Sequence, residues 1–263
     1  MPLRHVILSM TLAALLASCR TMTLPATGFL DRSIQVHGHL YPYSVYVPRM
    51  WTPERHWPVI LFLHGSGERG TDGLRATQIG IGSAIRSDPS QVPAIVVFPQ
   101  APPGTRWLGE PAEAAMAALE ATEREFGTDR ERTYLTGLSM GGYGVWHLAL
   151  AHPGRFAALV PVCGGLLPHE TTNAVQRSPL TMNSENPYAL VANVVGSTPV
   201  WIFHGDADPI VPVEESRQMT GALQQISKNV RYTEYAGVGH NSWERAYRQP
   251  DLWQWLFEQT LKQ

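Results

Sequence analysis

The chain has little charge of either sign and no basic excess. Charged residues make up 16% of its 263 residues, and 20 Lys and Arg against 22 Asp and Glu give a formal net charge of −2. A protein that binds nucleic acid by neutralising phosphates carries a large basic excess, so we expect no nucleic-acid partner. Apolar residues reach 44%. That share excludes a mainly disordered chain, because disorder requires low hydrophobicity.

Cysteine is scarce, and two common cofactor motifs are missing. The sequence contains no H-E-x-x-H zinc motif and no G-x-x-x-x-G-K-[ST] phosphate loop. We therefore expect neither a metal nor a cofactor. The only cysteines are Cys19 and Cys163. Cys163 ends an apolar run and has no cation beside it in the sequence, so we expect a buried, inert thiol rather than a nucleophile.

The N-terminal segment has the pattern of an export signal. Residues 6–17 form an uncharged apolar run, shorter than the roughly 20 residues that a membrane-spanning helix needs but typical of a secretory signal. The run ends in Leu16-Ala17-Ser18-Cys19. This tetrapeptide resembles the bacterial lipobox, in which the signal is cleaved before a cysteine that receives a diacylglycerol.

The lipobox predicts a signal peptide over residues 1–18, a lipid on Cys19 and a tether over residues 19–29. The protein then contacts the membrane only through its lipid, with the following domain in the periplasm or outside the cell. Arg20, rather than an aspartate, follows the cysteine, which favours the outer over the inner membrane of the cell envelope. The alternative is a plain secretory signal with an incidental cysteine.

Short apolar strands alternate with helical segments along the rest of the chain. Continuous apolar runs at 58–63 and 94–98 predict strands buried on both faces. Further strands are predicted at 41–48 (an outer strand), 133–136, 158–163, 200–204 and 231–235, and helices at 111–127, 141–152, 213–227 and 252–261. This alternation predicts an α/β fold with a mainly parallel sheet and helices on both faces. We expect one domain over 30–263, with a polar insertion at about 164–198 lying over one edge of the sheet.

The sharpest motif is the G-x-S-x-G formed by residues 137–141, between a predicted strand and a predicted helix. The turn is so tight that a Cβ on either flanking glycine, Gly137 or Gly141, would collide with neighbouring backbone. The turn exposes the hydroxyl of Ser139, and the helix N-terminus beneath favours developing negative charge. The motif therefore predicts Ser139 as a nucleophile.

A serine nucleophile needs a base, and in this strand–turn–helix arrangement the acid and the base follow the serine along the chain. The candidates weighed among the histidines that follow Ser139 are His152, His169, His204 and His240. We predict His240, because it lies in a glycine-rich loop just after the last strand. His204 ends an apolar strand and is expected to make local hydrogen bonds.

Two carboxylates in residues 204–211, Asp206 and Asp208, compete for the role of orienting acid. Asp208 is preferred because Pro209 and the apolar pair after it anchor its loop. Its carboxylate would accept the Nδ1–H of His240, fix the tautomer and stabilise the imidazolium. Asp206 is then expected to cap its own backbone in a turn.

An oxyanion hole requires two backbone N–H donors, and we predict the first at Met140, directly after the nucleophile. The second is expected in the loop after the buried strand at 58–63, from Ser66, with Gly65 as the alternative. His64, at the end of that strand, is expected to brace the loop. Two indoles, Trp107 and Trp243, either line the cleft and hold an acyl group or simply pack.

Five segments together resemble one family. They are LHGSGERG at 63–70, Pro99-Gln100, YLTGLSMGGYGVW at 134–146, FHGDADPIVPV at 203–213 and GHNSW at 239–243. The combination resembles α/β-hydrolases of the carboxylesterase and "predicted peptidase" type, close to the dienelactone-hydrolase, feruloyl-esterase and polyhydroxybutyrate-depolymerase-like groups. The resemblance implies the α/β-hydrolase fold and, independently of the spacing argument, the triad of Ser139, Asp208 and His240.

The expected activity is hydrolysis of carboxylic esters by a serine nucleophile, without a cofactor. The insertion at 164–198 is too short and polar to build a long acyl tunnel, so short-chain or compact aromatic acyl esters are the expected substrates. A serine peptidase with the same triad is the nearest alternative. A non-catalytic cell-envelope binding lipoprotein is the second, although a binding module needs no aligned acid and base.

Overall fold

The computed structural model describes residues 26–168 and 177–261. The predicted signal peptide, Cys19 and His169 lie outside the described residues. Within these two ranges, eight strands form one sheet in the order β1-β2-β4-β3-β5-β6-β7-β8. The strands are β1 (Gly28–Val36), β2 (His39–Val47), β3 (Val59–Leu63), β4 (Ile95–Pro99), β5 (Thr133–Leu138), β6 (Ala158–Val162), β7 (Val200–Gly205) and β8 (Val230–Tyr235).

The sheet is mainly parallel. The hairpin partners β1 and β2 are antiparallel, β2 is antiparallel to β4, and every pairing from β4 to β8 is parallel. Parallel neighbours require crossovers, and most of these are helical. The helices in the described ranges are α1 (Ile81–Ser87), α2 (Glu110–Phe126), α3 (Met140–Ala151), α4 (Pro187–Val195), α5 (Glu214–Ile226), α6 (Trp243–Ala246) and α7 (Pro250–Phe257).

Successive residues of the central strands enter two separate cores. Leu61 of β3 belongs to the core that contains apolar residues of α2, α3, α4 and α5. Its neighbours Ile60 and Phe62 belong to the core that contains residues of α1, α6 and α7. Because both faces of these strands are covered, their sequences are continuous apolar runs. The predicted fold class, a mainly parallel sheet with helices on both faces, is confirmed.

Two predicted boundaries are wrong. Strand β1 begins at Gly28, inside the tether expected over 19–29, and it makes β1, not β2, the outer strand. Its residues alternate between half-buried and exposed, so it has no apolar run to mark it. The expected insertion at 164–198 also contains α4, which connects two parallel strands and packs on α3 and α5. This part of the segment therefore lies on a face of the sheet rather than over an edge.

No helix among the described residues is long and apolar enough to cross a membrane.

Candidate active site

Ser139, Asp208 and His240 meet at the carboxyl end of the sheet. Ser139 directly follows β5, Asp208 lies just after β7 and His240 lies in the loop after β8. Parallel strands place these three ends at one edge of the sheet. Ser139 Oγ lies 2.8 Å from His240 Nε2, and His240 Nδ1 lies 2.7 Å from Asp208 Oδ2. The structure thus brings the three predicted residues into one continuous hydrogen-bond chain.

The chemistry of the three groups determines the direction of these hydrogen bonds. An ionised carboxylate only accepts, so Nδ1 of His240 carries the proton and donates it to Asp208. In the neutral imidazole Nε2 is then an acceptor, and it receives the hydroxyl proton of Ser139. This is the tautomer in which a histidine can remove a proton from the serine.

The backbone of Ser139 is strained. Its φ is +52° and its ψ is −117°, a conformation that residues with a Cβ rarely adopt. The predicted crowding of the turn is confirmed, since a Cβ on Gly141 would overlap the carbonyl oxygen of Leu63 and one on Gly137 would lie 2.5 Å from the Gly141 oxygen. Because Gly137 and Gly141 have no Cβ, the chain can form a turn that exposes the serine hydroxyl.

The Asp208 carboxylate is fully bonded and inaccessible to solvent. Its Oδ1 accepts the amides of Ile210 (2.8 Å) and Val211 (3.0 Å). Burial alone would raise the pKa of Asp208, but hydrogen bonds from His204 and His240, the charge of His240 and the Val211 amide outweigh it and hold the pKa well below its usual value. Asp208 therefore stays ionised at neutral pH.

A second histidine contacts the same carboxylate. His204 Nε2 lies 3.2 Å from Asp208 Oδ2, and its ring is completely buried. The prediction that His204 makes local hydrogen bonds is confirmed, although it did not identify the Asp208 carboxylate as a partner. The signal was present in the sequence, because His204 and Asp208 are four residues apart at the end of a strand.

Cys163 lies beneath the triad. Its sulfur, a carboxylate oxygen of Asp208 and a ring nitrogen of His240 all lie within 4.8 Å of one another, a residue set that zinc sometimes uses. However, burial, together with the charge of Asp208, raises the pKa of the Cys163 thiol, so it remains protonated and is a poor ligand. The thiol is buried, as the sequence predicted, and we explain it as packing support for the triad.

The two predicted oxyanion donors lie at the starts of helical turns. Met140 is the first residue of α3, and Ser66 is the first residue of a short 3₁₀ turn at Ser66–Glu68. The amides at a helix start have no partner within the helix. Both groups are thus placed where a backbone N–H is available to a ligand.

His64 braces the loop that carries Ser66. Its Nε2 accepts the Ala101 amide at 3.0 Å, so its proton is on Nδ1, which donates to the Gly65 carbonyl at 2.6 Å. Burial lowers the pKa of His64 to about 4, which keeps the ring neutral. Because C=O and N–H point in opposite directions across a trans peptide, binding the Gly65 oxygen turns the Ser66 amide away from His64.

Gln100, from the Pro99-Gln100 pair, holds the other end of the same loop. Its Oε1 accepts the Gly73 amide at 2.6 Å, and its Nε2 donates to the Glu68 carbonyl at 3.0 Å and to Asp72 Oδ1 at 3.1 Å. The side chain is 2% exposed. The motif residue therefore has a structural role that its sequence position alone did not reveal.

The two predicted substrate-contacting indoles have different surroundings. Trp107 is buried, donates its Nε1–H to the His64 carbonyl at 2.9 Å and packs its ring edge-to-face against His64. It also lines a cavity beside Met140 whose empty volume, part of it open to solvent, is about 390 Å³. Trp243 lies edge-on to the His240 ring, with centroids 5.4 Å apart. Trp107 thus faces a cavity, whereas Trp243 contacts the base.

The remaining lining of this cavity comes from the segment before α2, from one face of α3 and from the segment that follows β6. It includes Arg106, Met140, Tyr143, His147 and Ser178. His147 Nδ1 lies 2.8 Å from Ser178 Oγ, and burial lowers the pKa of His147 to about 4. The cavity is consequently lined by uncharged groups apart from Arg106.

The sheet order, the strained serine turn and the Ser–His–Asp chain define an α/β-hydrolase with a nucleophile elbow. The chain belongs to the prolyl oligopeptidase family, whose profile matches residues 105–263. A solved structure of a thermostable esterase is 32% identical and superposes with a TM-score of 0.74, covering 88% of this chain and 63% of that one.

Two curated relatives match shorter stretches. An uncharacterized secreted protein of Arthroderma benhamiae is 24% identical over 206 residues, which is 70% of this chain and 21% of that protein. Acyl-protein thioesterase 1 of Neurospora crassa is 38% identical over 45 residues, 17% of this chain and 18% of the enzyme. The chain thus spans about a fifth of the length of these curated relatives.

Proposed function

We propose that the chain is a serine hydrolase that cleaves carboxylic esters through an acyl-enzyme intermediate. The observation that carries the proposal is the unbroken chain from Ser139 Oγ to His240 Nε2 and from His240 Nδ1 to Asp208 Oδ2, with distances of 2.8 and 2.7 Å. Neither a binding surface nor a structural turn requires a strained serine aligned with a base and a buried carboxylate.

In the proposed reaction, Ser139 Oγ attacks the ester carbonyl while His240 Nε2 takes the hydroxyl proton. Asp208 stays ionised and stabilises the imidazolium that forms. His240 then donates its Nε2 proton to the leaving alcohol, and the carbonyl reforms as an acyl ester on Ser139. A water molecule, deprotonated by His240, attacks this ester, and His240 returns the proton to Ser139 Oγ as the acyl–oxygen bond breaks and the acid is released.

The tetrahedral intermediate carries a negative oxygen, and we assign its stabilisation to the amides of Met140 and Ser66. Both amides start helical turns, where no backbone carbonyl within the turn accepts them. Gly65 is a less suitable donor than Ser66, because the His64 contact to the Gly65 carbonyl orients the peptide that carries the Ser66 N–H. Losing one such donor typically costs 10²–10³-fold in kcat.

Substrates with a short or compact acyl group fit the site best. The cavity beside Met140 has an empty volume of about 390 Å³, part of it open to solvent, which is at the lower end for small-molecule sites, and Trp107 forms part of its wall. A palmitoyl chain would need an extended apolar tunnel. We therefore propose acetyl to butyryl esters, or compact aromatic acyl esters held against the indole of Trp107.

A serine peptidase is the competing function, because the family that the chain belongs to is named for one. The thermostable esterase, 32% identical over most of the chain, supports the ester assignment instead. An ester also needs less help than an amide when the leaving group departs. The second competing function is that of a non-catalytic binding lipoprotein, and such a function would not require an aligned triad.

A fluorophosphonate probe and a substrate panel test the proposal together. We expect wild type and Ser90→Ala, a control at an exposed serine outside the site, to be labelled, and Ser139→Ala to be unlabelled. A series of p-nitrophenyl esters should show kcat/KM greatest from acetate to butyrate and falling steeply toward palmitate. Equal labelling of Ser139→Ala would contradict the nucleophile. A maximum at long chains, or peptide turnover equal to ester turnover, would contradict the substrate class.

We also propose that the protein is exported and held in the cell envelope by a lipid on Cys19. The support is the lipobox in the sequence and the relative described as a secreted protein. Metabolic labelling with a palmitate analogue should mark wild type and Cys163→Ala but not Cys19→Ala. Because the chain has 2 cysteines, the Cys163 variant is the matched control. Label that persists in Cys19→Ala would contradict the anchor.

A further inference from the structure

His204 is a buried histidine at the end of β7 that the reaction described above does not use. Its Nε2 lies 3.2 Å from Asp208 Oδ2 and 3.0 Å from the Val211 carbonyl. Its Nδ1 lies 2.6 Å from Ser216 Oγ on α5. The loop that carries Asp208 and the helix α5 therefore hold the His204 ring through hydrogen bonds to both of its nitrogens.

The partners fix the protonation of this ring. Both neighbours of Nε2, a carboxylate and a carbonyl, can only accept, so Nε2 carries a proton and donates it. Ser216 has a hydroxyl that can donate to an unprotonated Nδ1. The arrangement is therefore complete with a neutral His204 whose Nε2–H is shared between the Val211 carbonyl at 3.0 Å and Asp208 Oδ2 at 3.2 Å.

The contact from His204 completes the bonding of the acid. Oδ1 of Asp208 receives two backbone amides, and Oδ2 receives one imidazole N–H from His240 and one from His204. Two donors on each oxygen leave the carboxylate no freedom to rotate. The four donors also share the negative charge of the Asp208 carboxylate, so that His240 interacts with only part of that charge.

We propose that His204 is a positioning residue for the triad. It fixes the Asp208 carboxylate opposite His240 and withdraws part of the carboxylate charge, which lowers the pH at which His240 becomes free to act as a base. This inference rests on the proposed function, because it concerns the availability of His240 in ester hydrolysis.

The other groups that face the two rings are accounted for. Glu234 on β8 is the register partner of His204, and it is already bound by Arg217 at 2.7 Å and by the Tyr232 hydroxyl at 2.6 Å. Facing His240 are Ser139, Asp208, the edge of Trp243 and the protonated thiol of Cys163. None of these residues is itself substituted in a His204 variant, so a shift in pH dependence is attributable to the lost contact between His204 and Asp208.

Three variants separate the hydrogen bond from the bulk of the ring. His204→Gln can place an amide N–H where Nε2 was and keep the donor to Asp208. His204→Asn can place its amide where Nδ1 was, which keeps a bond to Ser216 and removes the donor. His204→Leu removes both. The Gln and Asn variants are therefore a matched pair that differs in the one contact under test.

The readouts are kcat/KM against pH with p-nitrophenyl acetate and the NMR titration of the His240 ring protons. We expect the acid limb of the rate profile and the His240 titration midpoint to move up by about 0.5–1 pH unit in the Asn and Leu variants. We expect kcat to fall about tenfold, because the acid is less well oriented. The Gln variant should retain the wild-type limb.

An unshifted acid limb in His204→Asn, or an equal shift in His204→Gln, would overturn the inference. Thermal unfolding of each variant identifies a merely structural loss, which lowers the active fraction without moving the limb. If the Asn and Leu variants do not fold, a shifted acid limb in the Gln variant, which keeps the donor to Asp208, still overturns the inference. If wild type hydrolyses no ester, the proposed function fails, and the NMR titration still decides whether His204 acts on His240.

Discussion

The carboxylate of Asp206 accepts a hydrogen bond from the amide of Gly237, with Oδ1 and N 2.7 Å apart. This contact joins the loop that carries Asp208 to the loop that carries His240. A backbone hydrogen bond from Ala207 N to the Val238 oxygen, 3.0 Å long, connects the same two loops. Asp206 lies in a turn, as expected, but its carboxylate bonds the Gly237 amide instead of its own backbone and so ties the acid loop to the base loop.

Replacement of Asp206 should therefore distinguish the hydrogen bond from the charge. In Asp206→Asn the amide oxygen can still accept the Gly237 N–H, so we expect kcat/KM within about threefold of wild type. Asp206→Ala loses the acceptor and loosens the His240 loop, so we expect a fall of up to about tenfold, the value of one neutral hydrogen bond. Steady-state ester kinetics measure both. Equal losses in the two variants would mean that the charge, not the bond, matters.

Replacement of the triad residues should have far larger effects. We expect Ser139→Ala and His240→Ala each to lower kcat by several orders of magnitude, on the precedent of serine proteases. Asp208→Asn should lower kcat about 10⁴-fold, because an amide can donate to His240 and favour the wrong tautomer. Circular dichroism should show folded protein in each case. Our assignment of the acid would be wrong if Asp206→Asn were severe and Asp208→Asn mild.

The sequence predicted the positions that a parallel sheet makes obligatory. Ser139, Asp208 and His240 each follow a strand, and parallel strands bring such positions together whatever the intervening residues are. The glycines around Ser139 were equally predictable, because a tight turn excludes Cβ atoms for local steric reasons. Local geometry and chain order therefore determine most of the candidate site.

The parts that the sequence did not predict depend on contacts between distant segments. Strand β1 is half-exposed along its length, so its identity comes from pairing with β2 rather than from an apolar pattern. His204 binds Ser216, which lies on the next helix, and Asp206 binds Gly237, 31 residues away. Polar side chains such as these have several possible partners, and only the assembled fold selects one.

The low pKa of His64 makes folding stability depend on pH. Burial lowers this pKa from 6.5 to about 4, so between these values the unfolded chain binds a proton that the folded chain does not. Stability is therefore full above pH 6.5 and declines as the pH falls toward 4. Integrating between pH 7 and pH 5 gives a loss of about 2 kcal/mol from this one residue.

Urea unfolding of wild type and His64→Asn at the two pH values measures this contribution. The variant is less stable at both, because the Ala101 amide loses its acceptor, but its pH-dependent loss should be smaller than that of wild type by about 2 kcal/mol. His147, whose pKa burial also lowers to about 4, is intact in both proteins and cancels from the comparison. An equal loss in the two proteins would mean that His64 is protonated in the folded state at pH 5.

The strain at Ser139 predicts that the nucleophile is less stable than a glycine would be at the same position. With φ at +52° and ψ at −117°, any residue with a Cβ is strained by about 1–3 kcal/mol. Glycine adopts such values readily, although its larger entropy in the unfolded chain offsets about 0.5–1 kcal/mol. We therefore expect Ser139→Gly to be about 1 kcal/mol more stable to unfolding than Ser139→Ala. Both variants lack the hydroxyl that bonds His240, so the comparison isolates the backbone.

The opposite order is expected at Ser83, the third residue of α1. There the backbone is helical, and Ser83→Gly should be less stable than Ser83→Ala by about 1 kcal/mol. Urea unfolding of the four variants at pH 7 gives both differences. If glycine were the less stable residue at both positions, Ser139 would hold no strain in the folded protein. If glycine is the more stable residue at position 139 and alanine at position 83, as predicted, the turn at Ser139 lowers the stability of the fold. The turn is then retained because only this conformation presents the Ser139 hydroxyl to His240.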